Sequence, residues 1–149
     1  MEIGDEISPK EQPGGSMSSF IRDKIERHEI SLKLSPQKYN RHVEGTKEFE
    51  EYTARRELKD KSKPSKLYLT EEETQDFIYR YAGTGQVKIL NGIMYPDEFI
   101  TADQIVGEYE EYGVYRPTSR VMIKYGKRNS HMFPVKNISD QDILEDDDD

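Results

Sequence analysis

Thr70-Glu71-Glu72-Glu73-Thr74-Gln75-Asp76-Phe77-Ile78-Tyr79-Arg80-Tyr81-Ala82-Gly83-Thr84-Gly85-Gln86-Val87-Lys88-Ile89-Leu90-Asn91-Gly92-Ile93-Met94-Tyr95 carries the plainest structural signals in the chain. Thr70 and Glu73 have capping-box spacing: the Thr hydroxyl accepts from the backbone three residues on, and the Glu returns a bond to the cap. The spacing predicts a helix over Glu71 to Tyr81 with Phe77, Ile78 and Tyr81 on one face. Its three leading acids suit the positive end of the helix dipole. Gly83 ends it, because a left-handed terminus penalises a Cβ. Asn91-Gly92 then supplies two positive φ angles for a tight hairpin between Gln86–Leu90 and Ile93–Tyr95. Gly83-Thr84-Gly85 follows a helix rather than preceding one and lacks a nucleotide-loop Lys, so it is not read as a phosphate loop.

Toward the C-terminus, Asp97 to Gly107 reads as a short strand or turn, and Glu108 to Gly113 as an acidic, Tyr-rich loop or strand. Arg120–Tyr125 and His131–Lys136 read as two strands joined by the basic turn Gly126-Lys127-Arg128-Asn129. Alternation sets Arg120, Met122 and Lys124 on one side, the charged one, and Val121, Ile123 and Tyr125 on the core side. From Tyr112 to Asn137 there are six Lys/Arg and no Asp or Glu. Such a patch is suited to holding a phosphate and moving a proton beside it. The chain as a whole has net charge −8, yet residues 35–138 hold 17 basic and 16 acidic residues. The acidity therefore belongs to the flanks, and the domain itself is neutral.

Toward the N-terminus, Glu48 to Lys63 has helical periodicity through Phe49, Tyr52 and Leu58, closed by Pro64. Leu32 to Thr46 reads as extended with a turn. Ser19 caps a short helix through His28, giving an N-terminal helical segment over 19–34. Residues 1–18 and the acidic tail 139–149 read as disordered. With 33% hydrophobic and 35% charged residues, one small domain with unstructured ends is expected. No Cys is present, which removes disulfides and thiolate sites, and three His without any Cys argue against a zinc fold. No apolar run approaches a membrane span and no signal peptide is apparent, so a cytoplasmic protein with no membrane partner is expected.

The order of marks from His42 to Pro134 resembles the polymorphic toxin type 50 domain. The marks are Arg41-His42-Val43-Glu44-Gly45-Thr46, Ser65-Lys66-Leu67-Tyr68-Leu69, Tyr81-Ala82-Gly83-Thr84-Gly85, Glu98, Ile105-Val106-Gly107, Thr118, Ile123-Lys124-Tyr125 and Ser130-His131-Met132-Phe133-Pro134. They cover about two thirds of the chain. That family is usually found at the C-terminus of larger toxins and of prophage minor head proteins. The resemblance implies an α+β fold like those of barnase, EndoU and RelE, with one or two N-terminal helices packed on a four-stranded antiparallel sheet. It also implies a metal-independent ribonuclease acting in a bacterial host, needing no cofactor. This chain departs from the family in having Gly126 where Ser often follows the strand Tyr, with Ser130 as a substitute hydroxyl. Asn129 stands where the family tends to have Gly.

Metal-free RNA cleavage needs a base for the 2′-OH, an acid for the 5′ leaving oxygen, and fixed positive charge on the phosphate. His42 and His131 are the only imidazoles of the domain and are the expected base and acid. Arg120 and Lys124 are expected to supply charge, and Thr118 and Tyr125 further hydrogen bonds. Lys66, Arg116, Lys127, Arg128 and Ser130 are expected to bind RNA. An immunity protein or a phage head protein is a further expected partner. Two other functions fit the sequence: an acidic nucleic-acid mimic that blocks host nucleic-acid-binding proteins, and a virion-associated structural domain. The tail could also fold over the basic strands and screen them.

Overall fold

A computed structural model describes residues 19–137. The stretches read as disordered, and with them the tail-screening idea, lie outside the described residues. The order is α1 (Ser19–Glu26), α2 (Pro36–Asn40), α3 (Lys47–Leu58), β1 (Lys66–Leu67), α4 (Glu71–Tyr81), β2 (Gln86–Leu90), β3 (Ile93–Thr101), β4 (Gly107–Glu111), β5 (Val114–Thr118), β6 (Arg120–Lys124) and β7 (His131–Val135). The fold is α+β, as expected, with a four-stranded antiparallel sheet ordered β2-β3-β6-β7. A second, three-stranded antiparallel sheet, β1-β4-β5, was not foreseen.

Local chemistry explains the secure elements. Thr70 Oγ1 accepts from Glu73 N at 3.1 Å and Glu73 Oε1 accepts from Thr70 N at 2.9 Å, completing the capping box of α4. Such a cap is worth about 1 kcal/mol. Asn91 and Gly92 turn the β2–β3 hairpin with φ of 52° and 79°. Tyr112 and Gly113 do the same between β4 and β5, at 54° and 82°, so the acidic, Tyr-rich stretch is a strand and its turn.

Three expectations change. Leu32–Thr46 is not wholly extended: Ser35 caps a short helix, accepting from Lys38 N at 3.3 Å with Pro36 in its first turn. Leu58, placed on the buried face of α3, is 88% exposed, while Arg56 is buried, its guanidinium bonded to Ser62. The basic patch between Tyr112 and Asn137 does not lie on one sheet. β5 belongs to the small sheet and β6–β7 to the large one, and the chain crosses between them at Ser119.

The inner face of the large sheet holds Val87, Ile100, Val121, Ile123 and Met132, packed with Ile21 of α1, Phe77 and Ile78 of α4, and Tyr39 of α2. Glu98 is buried there as well. Its Oε1 accepts from Gly83 N at 2.9 Å and from the Tyr125 hydroxyl at 2.7 Å, and its Oε2 accepts from Gly85 N at 2.6 Å. The Gly83-Thr84-Gly85 loop thus does hold an anion, but it is the chain's own carboxylate. A Cβ on Gly85 would come 2.0 Å from the Phe99 carbonyl, so only glycine lets the loop approach this closely.

The charged row and aromatic line on the outer sheet face

The outer face of the large sheet is set by the strand register. Lys124 lies opposite both Asp97 and His131, and Met122 lies opposite both Phe99 and Phe133. Directly paired residues in an antiparallel sheet share a face. Between β2 and β3 the register shifts at Lys88, opposite the segment containing Pro96, where a strand proline is tolerated. The shift brings Lys88 Nζ to 3.7 Å from Asp97 Oδ2, while Lys124 Nζ lies 3.4 Å from the same oxygen. Lys88, Asp97, Lys124 and His131 therefore form one row across all four strands. Beside it runs an apolar row of Phe99, Met122 and Phe133.

His42 reaches this face from beyond β7. Its ring stacks on Phe133 at 5.2 Å between centroids, and His131 stacks on the same Phe133 at 5.6 Å. The two imidazoles thus share one aromatic neighbour, and their centroids are no more than about 11 Å apart. Both are buried, at 2% and 3% exposure. His42 Nδ1 lies 2.9 Å from the Ser65 carbonyl, which can only accept, so Nδ1 carries the proton. In the neutral ring the lone pair is then on Nε2. His42 also makes an edge-to-face contact with Tyr52 of α3, at 5.7 Å and 77°. An aromatic line therefore runs from Tyr52 through His42 and Phe133 to His131.

Of the other expected site residues, the structure brings only Lys124 directly beside this line. Arg120 shares the face but is buried, its guanidinium 4.2 Å over the Phe99 ring and donating to the Lys136 carbonyl at 3.1 Å. The outer face is thus a packed surface topped by cations rather than an open basic one. Thr118 is fully buried at the junction of the sheets, donating to the Val135 carbonyl at 2.6 Å and accepting from Arg120 N at 3.1 Å. Tyr125 is on the inner face with Glu98, where burial and that carboxylate push its hydroxyl pKa well up. Ser130 is buried and ties the chain ends of the fold together, donating to the Ser31 carbonyl at 2.5 Å and accepting from Gly126 N at 3.1 Å. A Cβ at Gly126 would meet the Asn129 carbonyl at 2.6 Å, so this loop excludes the serine that the resemblance led one to expect.

Lys66 and Arg116 lie on the small sheet. Lys66 pairs with Glu44 at 3.0 Å over the Tyr115 ring, and Arg116 approaches Glu111 at 3.8 Å. Burial and the nearby glutamates push the Tyr115 pKa up to about 12. Lys127 and Arg128 are exposed in the β6–β7 turn. Four residues on or against the outer face were not expected as site residues: Lys88, Asp97, Phe133 and, from α3, Tyr52. Tyr52 had a sequence signal, since it shares a helix face with Arg55 and Arg56 and stands near Arg41-His42. Lys88 and Asp97 had none, because their meeting depends on the register shift.

Among the described residues, no three His, Cys, Asp or Glu side chains gather as a metal-binding group, and no helix is long and apolar enough to cross a membrane. No curated protein and no solved structure matches the chain. The family model described as bacterial toxin 50 matches residues 34–134, a span that contains both imidazoles, the whole charged row and the aromatic line. Residues 34–134 are a toxin domain, and the chain belongs to the bacterial toxin 50 family.

Proposed function

We propose that this toxin domain is a metal-independent endoribonuclease whose acid and base are the two imidazoles on Phe133. The observation that supports this most directly is the shared stacking of His42 and His131 on that ring, at 5.2 and 5.6 Å, from opposite ends of the domain sequence. In this reading RNA binding opens the cover over His42 Nε2, which the fold encloses, and Nε2 takes the proton of the ribose 2′-OH. The new oxyanion attacks phosphorus, the bond to O5′ breaks, and His131 gives O5′ its proton. The products are a 2′,3′-cyclic phosphate and a 5′-hydroxyl. The Ser65 carbonyl holds His42 in the required tautomer and accepts from the imidazolium once it forms. Lys124, opposite His131 in the sheet, is placed to meet the charge that develops on the phosphate. Asp97 acts through it, fixing the ammonium group by their 3.4 Å contact.

The test is incubation of the protein with total RNA in EDTA, followed by end-group analysis. Fragments ending in 2′,3′-cyclic phosphate are expected. His131→Ala and His42→Ala are each expected to lower the rate on the order of 10²- to 10⁴-fold with an unchanged circular-dichroism spectrum. Equal cleavage by the wild type and His131→Ala ends this reading. If an alanine variant unfolds, the asparagine variants repeat the test with less loss of volume.

A further inference from the structure

Along β3 the outer face opens to solvent toward the hairpin turn. Asp97 is 5% exposed, Pro96 and Tyr95 are half-buried, and Met94 and Ile93 are exposed. Tyr95 therefore stands at the rim of the packed face, where an incoming molecule can reach it. Lys88 holds the ring in place. The ammonium that lies 3.7 Å from Asp97 Oδ2 also stands over the Tyr95 ring, 5.2 Å from its centroid. Both contacts come from the register shift, which sets Tyr95, Pro96 and Asp97 of β3 against Lys88 alone on β2. A cation over an aromatic face attracts it, so the ring is positioned before any ligand arrives.

The place of the ring along the row selects what it would take. The row starts at His131 on β7, passes Lys124 on β6 and Asp97 on β3, and ends at Lys88 on the sheet edge. Two strand spacings, about 10 Å, separate β3 from β7. His42 packs on Phe133 of β7, so Tyr95 lies beyond His131 from it. In the reaction above His42 serves the ribose before the cleaved bond, and His131 serves the leaving oxygen after it. A strand that continues past His131 along the row presents its 3′ portion to β3. We infer that Tyr95 is a platform on which a nucleobase 3′ to the cleaved bond stacks. This deepens the ribonuclease reading and rests on it. Stacking on a side chain needs an unpaired base, so the substrate is single-stranded on that side. Every base has a π face, so the platform fixes the strand without demanding a sequence.

The test uses an RNA oligonucleotide spanning a site that the wild type cleaves, and two derivatives of it. One is abasic at the two positions 3′ of the cleaved bond, and the other at the two positions preceding the reacting nucleotide. kcat/KM is measured for the wild type, Tyr95→Ala, Tyr95→Leu and Tyr95→Phe, with circular dichroism as the check on folding. Tyr95→Ala and Tyr95→Leu are expected to lose on the order of 10- to 100-fold on the full oligonucleotide. Tyr95→Phe keeps the ring and is expected to match the wild type. On the 3′-abasic derivative all four proteins are expected to be equally slow, while on the 5′-abasic one the deficit remains. A deficit that persists without the 3′ bases shows that Tyr95 only supports the fold, and overturns the platform. A deficit that vanishes without the 5′ bases puts the stacked base on the other side and overturns it as well. Unchanged kcat/KM in Tyr95→Ala or Tyr95→Leu, with a wild type that cleaves, overturns the platform and spares the ribonuclease reading. A wild type that leaves RNA intact overturns both.

Discussion

The two faces of the large sheet use the same strands for opposite ends, and Asp97 and Glu98 show it within two residues. Glu98 points inward, where two backbone N–H groups and one phenol surround its carboxylate. Asp97 points outward, where it lies between two lysines. The inner carboxylate joins α1, the α4–β2 loop and β6, with Arg22 of α1 donating to the Gly83 carbonyl at 2.6 Å. The outer one spaces the charges of the proposed site. A buried anion can therefore serve the fold or the proposed chemistry, and its partners differ accordingly: neutral dipoles in one case, two lysines in the other.

The largest expected effect on this contrast comes from Asp97→Asn. Lys88 is 7% exposed and would lose its counter-charge, which costs on the order of 3 kcal/mol for a buried pair broken on one side. Urea unfolding measures the loss, and the same variant is expected to cleave RNA more slowly, because Lys124 loses its anchor. An unchanged midpoint would show that the row is not coupled.

Glu98→Gln comes next and separates the two carboxylates by pH. Burial raises the Glu98 pKa above the ordinary carboxyl value of 4.5, against the opposing hydrogen bonds from Gly83, Tyr125 and Gly85 and the Arg22 charge. A raised folded-state pKa means that the folded chain holds the proton more tightly than the unfolded one. That contribution is complete below 4.5 and is lost as pH rises through the folded value. The stability of the wild type relative to Glu98→Gln is thus expected to fall as pH climbs from about 4.5. A flat difference across that range would mean that Glu98 titrates alike in both states. The smallest effect is expected at Leu58→Glu, within about 0.5 kcal/mol, since that side chain faces solvent. A larger loss of thermal stability would show that Leu58 is covered in solution.

What could be read from the chain followed the range of the signals. The α4 cap and the Asn91-Gly92 turn act over three or four residues, so both were legible. Ser35-Pro36 is an equally local start signal, but the helix it opens is only five residues long and has no apolar period to mark it. Leu58 and Arg56 exchanged places because Ser62, after the helix, satisfies the guanidinium, and periodicity does not contain that partner. His42 and His131 were legible as a pair because the domain has no other imidazole. Thr118, Ser130 and Tyr125 are hydrogen-bonding residues near that pair in sequence, yet each is bonded within the fold, to Val135, Ser31 and Glu98. Alternation had in fact already set Tyr125 on the core side.

The adjacency of Asp97 and Glu98 also limits how the gene for such a domain can vary. Side chains alternate strictly along β3, so deleting or inserting one residue between the hairpin turn and Asp97 would exchange the two carboxylates between faces, unless the irregularity at Pro96 absorbed it. The lysines would then face a longer acid and the glycine loop a shorter one, and both tasks would fail together. Point substitutions along Ile93 to Pro96 can be accepted one at a time, whereas a change of length there touches the core and the proposed site in a single event.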